Sequence, residues 1–320
     1  MIHYLPLEHI DQRYTRRMDE DILKALQLTG LPFHRYYPEV NQRHLPDGMF
    51  LDAPTTIEFK SQQLAQLARS YQDGRVNDGD IVFCSDLWMP GIEAVAYLNF
   101  FASKDVRLRG IMHAGSWTDT DFVRRMERWA CKFEEAVLDI ADHVFVASEF
   151  SRKELLIHRA VDPSKVSVVP FVLDDAVLAH RKQDRTRTVV FNGRLCDEKQ
   201  PHLFLELQSI LNRQGVQAEF IMTQAERFSK DDYHALLGRS AVVVSFALQE
   251  NFGFGINEAV LAGCVPVVPD RLVYREFYDE RYRYTTIDDC ANKVRLALDG
   301  QLAVPAPVQS TINDLKRYFQ

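Results

Sequence analysis

Short apolar runs alternate along the chain with longer stretches whose apolar positions recur every three or four residues, the rhythm of parallel βαβ units. In the first half the runs predict strands at 2–7, 80–85, 106–114, 143–148 and 165–170, with helices at 16–28, 60–72, 91–102, 119–140 and 149–158 between them. Ser148 precedes the last of these helices as an N-cap. Residues 30–56, rich in proline, aromatic and charged side chains, are assigned no regular structure. After the polar stretch 174–187 the rhythm restarts, with strands at 188–193, 218–223, 241–246 and 264–269 and helices at 200–213, 231–239, 254–262 and 288–299.

This pattern predicts an α/β protein of two Rossmann-like, doubly wound domains facing each other across a cleft: residues 1–175, residues 176–305, and a final helix at 306–320 packing back on the first domain. Ligands in such sheets bind beyond the carboxyl ends of the strands. A length of 320 residues suits two cores. With 46% hydrophobic and 26% charged residues the composition is that of a globular chain. No stretch approaches about 18 uncharged apolar residues, and a cytoplasmic protein is expected. Five scattered cysteines without a CxxC pair suggest neither a disulfide framework nor a zinc site. Residues 1–175 hold 20 Lys and Arg against 27 Asp and Glu, which leaves 18 of each for residues 176–320. Bulk charge therefore does not favour a polyanionic partner.

Candidate chemistry concentrates in two loops of the second half. In QENFGFGINEAVLAGCVPVV (249–268), Glu250 and Glu258 bracket two glycines where a strand hands over to a helix. The exposed N–H groups of a helix start, approached closely through glycine, suit a diphosphate, and a carboxylate suits the paired hydroxyls of a sugar or ribose. The plain alternative is that Glu250 caps the helix and Glu258 faces solvent. Upstream, FNGRLCDEKQPHLFLEL (191–207) places Arg194 and Lys199 after a strand, about 55 residues before the acids. Two fixed cations suit a leaving diphosphate that gains negative charge.

The string ENFGFGINEA with the following AG and PV, together with the G-R-x-x-x-E-K loop upstream, resembles the signature of retaining glycosyltransferases of the GT-B fold, in particular the large family four with its E-x7-E motif. The resemblance covers 176–300 well and the first domain loosely. It implies that Asn192, Gly193, Arg194, Lys199, Glu250, Asn251, Phe252, Gly253, Phe254 and Glu258 bind a nucleotide-sugar donor, a UDP-sugar being expected. Arg194 and Lys199 would hold the diphosphate, Glu250 the donor sugar and Glu258 the ribose. The histidine ending VRLRGIMHAGS, His113, corresponds to a sugar-contacting histidine, so that His113, Arg194, Lys199 and Glu250 form the catalytic set. No cofactor or metal is implied, since the cations and helix-terminal amides take the place of Mg²⁺. One departure stands out. Such enzymes carry a glycine pair after the first strand, whereas this chain reads YLPLEHIDQRYT, with Glu8 or Arg13 at that place.

The acceptor is expected on the first domain, with Glu8, Arg13, Asp86 and Trp88 as candidates; Trp88 serves equally well as packing. Segments such as IHYLPLEHIDQRYTRRMDE resemble short bacteriophage enzymes that glycosylate hydroxymethylated pyrimidines in DNA. The clusters Arg13/Arg16/Arg17, Arg107/Arg109 and Arg124/Arg125/Arg128, with HRYY at 34–37, would then meet phosphates and a flipped base, although solvated helix faces explain them without DNA. The alternatives are a lipid or polysaccharide acceptor, or a nucleotide-sugar-binding protein without turnover. The oligomeric state is left open.

Overall fold

The structure, a computed structural model, describes residues 1–10, 13–40, 51–226 and 228–320. The chain divides into two units: Met1–Val172 with Ser310–Gln320, and Leu173–Gln309.

The first unit holds six parallel strands: β1 (Ile2–Leu5), β2 (Phe33–Arg35), β3 (Ile81–Cys84), β4 (Arg107–Ile111), β5 (His143–Val146) and β6 (Val166–Val168), in the order β2-β1-β3-β4-β5-β6. β1 and β3 are buried at every position, as strands covered by helices on both faces must be, which is why they read as continuous apolar runs. The order reverses between β1 and β3, so the segments that follow these two strands leave the sheet on either side of a topological switch point.

The helix expected at 60–72 begins seven residues earlier, as Ala53–Gln72. Asp52 caps it, its carboxylate accepting Thr55 N–H at 3.4 Å, and Pro54 stands in the first turn where no N–H is needed. The stretch assigned no structure thus holds β2 and this helix start, while 41–50 lie outside the described residues. The helix expected at 119–140 is split into a 3₁₀ segment, Phe122–Met126, capped by Asp121, and the α-helix Glu127–Ile140. Ser148 caps Glu149–His158 as predicted, accepting Ser151 N–H at 3.1 Å.

The second unit holds β7 (Thr186–Phe191), β8 (Glu219–Met222), β9 (Ser240–Val244), β10 (Val265–Pro269) and β11 (Arg283–Tyr284), all parallel, in the order β11-β10-β9-β7-β8. Its switch point falls between β7 and β9. The polar stretch 174–187 belongs to this unit: it forms the 3₁₀ helix Asp175–His180, which packs against Lys230–Arg239 and Phe254–Ala262, and then enters β7. The expected terminal helix is a short 3₁₀ segment, Asp314–Tyr318. Its Tyr318 stacks on Phe83 at 5.1 Å, and Arg109 donates to the Gln320 carbonyl at 2.5 Å.

Candidate functional site

The residues singled out in the second half gather at the carboxyl ends of β7 and β9, on both sides of the switch point. Asn192, directly after β7, donates through Nδ2 to the Gly255 carbonyl at 2.7 Å and to the Tyr233 hydroxyl at 3.1 Å. A Cβ at Gly255 would lie 2.9 Å from that amide nitrogen, so only glycine lets the helix start approach β7 this closely.

The turn Asp197–Lys199 then brings the Lys199 ammonium 2.5 Å from the Gln249 carbonyl and 3.2 Å from a Glu250 carboxylate oxygen. Arg194 pairs with Glu198, four residues on. Glu198 itself lies 3.8 Å from Lys199, and its carbonyl accepts Leu248 N–H at 2.7 Å, tying the two loops together. Two cations and two carboxylates are thus interleaved at the strand ends. An incoming anion would exchange with Glu198 for Arg194.

Beyond Glu250 the chain enters the helix Phe254–Ala262 through Gly253, at φ +74°, a left-handed conformation that glycine adopts without cost. The second Glu250 oxygen accepts Gly253 N–H at 2.9 Å. The capping alternative is realised: Glu250 fixes the turn and is itself held by Lys199. The first N–H groups of any helix lack partners within it, and the helix end carries a partial positive charge. Asn251 and Phe252 line this turn; Phe252 is buried, and its ring meets that of Phe254 at 5.0 Å. Glu258, partly exposed, lies in the helix close to Tyr233: burial, and after it the Glu258 charge, pushes that hydroxyl far above its usual range, so Tyr233 stays neutral.

Sequence reasoning passed over Asn257. It is fully buried; its Nδ2 donates to the Phe252 and Gly253 carbonyls at 2.9 and 3.4 Å, while Oδ1 accepts from the Tyr278 hydroxyl at 2.9 Å and from Val308 N–H at 3.2 Å. The signal was an amide beside Glu258 in a helix pattern, GINEAVLA, that is apolar apart from these two residues. Glu198 was equally legible, at i+4 from Arg194.

The first unit has its own cluster at its switch point. His113 follows β4; its ring stacks on Phe171 at 5.4 Å and its Nε2 lies 2.8 Å from the Ser85 carbonyl. A carbonyl only accepts, so the proton sits on Nε2. Burial pushes the imidazole below 6.5 against the opposing pull of Asp86, keeping it neutral near pH 7. For Asp86, burial alone would raise the carboxyl, but Lys60, His113 and the Trp88 amide outweigh it and hold it below the usual range. Lys60, another residue unremarked in the sequence, reaches Asp86 at 3.2 Å and the Trp88 carbonyl at 2.7 Å. Glu8 is buried and accepts from Thr56 at 2.9 Å; burial pushes its carboxyl above 4.5. Arg13 is partly exposed, its amide bonded to the Ile10 carbonyl at 3.1 Å.

Trp88 is tied inward. Its indole N–H donates to the buried Glu134 at 2.8 Å, and its ring packs on Phe133 at 5.1 Å. In the HRYY segment Arg35 pairs with Asp19, Tyr36 is buried, bonding His3 and Ser70 at 2.8 Å each, and His34 is exposed. Arg17 pairs with Asp21 and Arg124 with Glu127. Arg16, Arg125 and Arg128 are exposed.

No protein-family model matches the chain. HepE of Anabaena, in a crystal structure with UDP and glucose, aligns over 99% of this chain and 97% of its own at a TM-score of 0.64 and 13% identity. The fold is that of the GT-B glycosyltransferases. Sucrose-phosphate synthase of Thermosynechococcus elongatus aligns over 99% of this chain and 94% of its own, also at 0.64 and 13% identity. The lipopolysaccharide outer core galactosyltransferase WaaB, without ligand, covers the same shares at a TM-score of 0.61 and 10% identity. In sequence, 108 residues, 34% of this chain, are 28% identical to the tRNA-queuosine alpha-mannosyltransferase of Drosophila melanogaster, a match that spans 28% of that protein. No helix among the described residues is long and apolar enough to cross a membrane. Nor do the described residues contain a group of three or more His, Cys, Asp and Glu placed to hold a metal ion.

Proposed function

We propose that this chain is a retaining glycosyltransferase that binds a UDP-sugar in its second unit and transfers the sugar to a hydroxyl on a modified nucleobase. One observation carries the donor half: at the switch point Glu250 is locked between Lys199 and the Gly253 amide at a helix start, and Arg194 is held by Glu198 in the same loop as Lys199. Two cations and a helix N-terminus are what a diphosphate requires. UDP bound to HepE supports the choice of nucleotide.

In this reading Arg194 leaves Glu198 for the diphosphate and Lys199 bridges phosphate and Glu250. Glu250 accepts from sugar hydroxyls and Glu258 from the ribose. The bond between the anomeric carbon and the phosphate oxygen breaks with its electron pair going to UDP, whose growing charge the cations and amides stabilise without a metal. The acceptor oxygen bonds to the same face, its proton passing to the departing phosphate, so the configuration is kept. His113 is a neutral imidazole protonated at Nε2, so that it meets a sugar hydroxyl by hydrogen bonding and takes up no proton.

Nucleobase acceptors are favoured by the Drosophila relative, named for mannosyl transfer to tRNA queuosine, and the phage resemblance points to hydroxymethylated pyrimidine in DNA. The exposed Arg16, Arg125 and Arg128 would meet phosphates. The test is a thermal-shift panel of UDP-, GDP- and ADP-sugars, followed by mass spectrometry of hydroxymethylated DNA, tRNA and lipid acceptors with the best donor. A ligand at 100 times its Kd stabilises by about 2.7 kcal/mol. If no nucleotide sugar raises Tm, the donor reading fails. Binding with neither transfer nor slow sugar release identifies a binding protein instead.

A further inference from the structure

The helix Ala94–Ala102 (AVAYLNFFA) carries no charged residue, and only Val95 in it is buried. Its aromatic side chains point outward: Tyr97, Phe100 and Phe101 are 65%, 78% and 67% exposed. They form one patch, with ring centroids 4.6 Å apart for Tyr97 and Phe101 and 5.2 Å for Phe100 and Phe101. The helix is firmly seated. Asn99 accepts from the Tyr71 hydroxyl and donates to the Val106 carbonyl, both at 2.7 Å, so the rings are presented by an anchored element.

Three rings exposed to this degree offer about 400 Å² of apolar surface, close to the largest patch a monomer usually carries. A standard interface buries about 800 Å² per partner, a little over half of it apolar. The rings alone therefore supply most of the apolar core of one such interface.

Charge selects the occupant. Glu93, exposed, sits at the N-terminal end of the helix and Lys104, partly exposed, just past its C-terminal end. Neither has an ion-pair partner among the described residues. A helix that lies on an anionic membrane carries Lys and Arg along its polar face, and this one has none. Two copies of the helix packed antiparallel across a two-fold axis, in contrast, set Glu93 of each copy against Lys104 of the other. The same axis, midway between Leu98 and Asn99, sets Tyr97 against Phe100 of the second copy, and the opposed helix dipoles add to the fit. We infer that this face is an isologous interface that docks a second copy of the chain.

Sedimentation of the full chain up to about 100 μM tests this. The wild type is expected to form a concentration-dependent dimer. Phe100→Glu should weaken it by at least ~30-fold, since a charge at a central aromatic anchor removes its burial. Glu93→Lys and Lys104→Glu should each weaken the homodimer, while an equimolar mixture of the two should associate again, because every cross-axis contact then joins opposite charges. All three positions lie at the surface, and unchanged circular dichroism and Tm show that the variants fold. A wild type that stays monomeric overturns the inference, as does a dimer indifferent to Phe100→Glu or a mixture that does not re-associate. A monomer that floats with phosphatidylcholine/phosphatidylglycerol vesicles through Phe100 overturns it in favour of a lipid surface.

Discussion

The Lys199 ammonium stands 3.2 Å from the Glu250 carboxylate across 51 residues of sequence, and the other oxygen of that carboxylate holds the Gly253 amide. A cation, an acid and a helix start are thereby joined in one chain of contacts that no local pattern dictates.

Replacing Lys199 or Arg194 with alanine is expected to lower transfer by about 10²–10³-fold each, the scale for losing one group that stabilises developing charge. Affinity for UDP should fall along with the rate. Single-turnover kinetics and calorimetry check this; near-normal rates in both variants would remove the diphosphate site from the second unit.

Glu250→Gln and Glu258→Gln should separate. The first is expected to cut transfer while changing UDP affinity little, because in the proposed function it meets the sugar. The second should weaken UDP binding by roughly tenfold, the equivalent of one charge-assisted hydrogen bond. Calorimetry with UDP and with UDP-sugar distinguishes them, and identical behaviour of the pair would contradict their assigned roles.

Asn257→Leu leaves the Phe252 carbonyl and the Val308 amide without their partner, and is expected to cost about 2–4 kcal/mol of stability. Gly253→Ala forces a side chain into φ +74° and should cost on the order of 1 kcal/mol. Both should lose UDP affinity while Glu258 stays in place. Chemical denaturation alongside UDP titration measures the two effects separately.

Acid should destabilise the protein in a defined window. Burial lowers the imidazoles of His3, His113 and His234 below 6.5, and His234 Nε2 is buried with no partner among the described residues. The unfolded chain therefore binds protons first. The stability that these neutral rings contribute is complete above pH 6.5 and drains away as pH falls from 6.5 through their lower folded values. A fall in Tm between pH 7 and 5 is expected. His234→Gln should flatten that slope, and an unchanged slope would contradict the assignment.

Much of the fold was legible because strand and helix periods are local. β1, β3, β9 and β10 are apolar runs covered on both faces, and Ser148 caps its helix by a contact three residues long. β2 and β11 escaped because two or three residues at a sheet edge carry no period. The helix at Ala53–Gln72 was read too short, although Asp52 and Pro54 mark its start. For Trp88 the sequence left cleft and packing open, and HRYY was set against DNA from its residue types; Glu134 and Asp19, distant in sequence, hold Trp88 and Arg35.

From its sequence alone this protein has two series of parallel strands, with Arg194, Lys199, Glu250 and Glu258 in loops and a helix at strand ends, since spacing and periodicity act over a few residues. Only tertiary structure decided that β7 and β9 are neighbours, that Lys199 reaches Glu250, that Asn257 ties the Gly253 turn to Val308, and that Lys60 joins Asp86 to the Trp88 loop. The reason is physical: a buried polar group must find its partner wherever the packed core places one, and that distance is not written in the spacing of the chain.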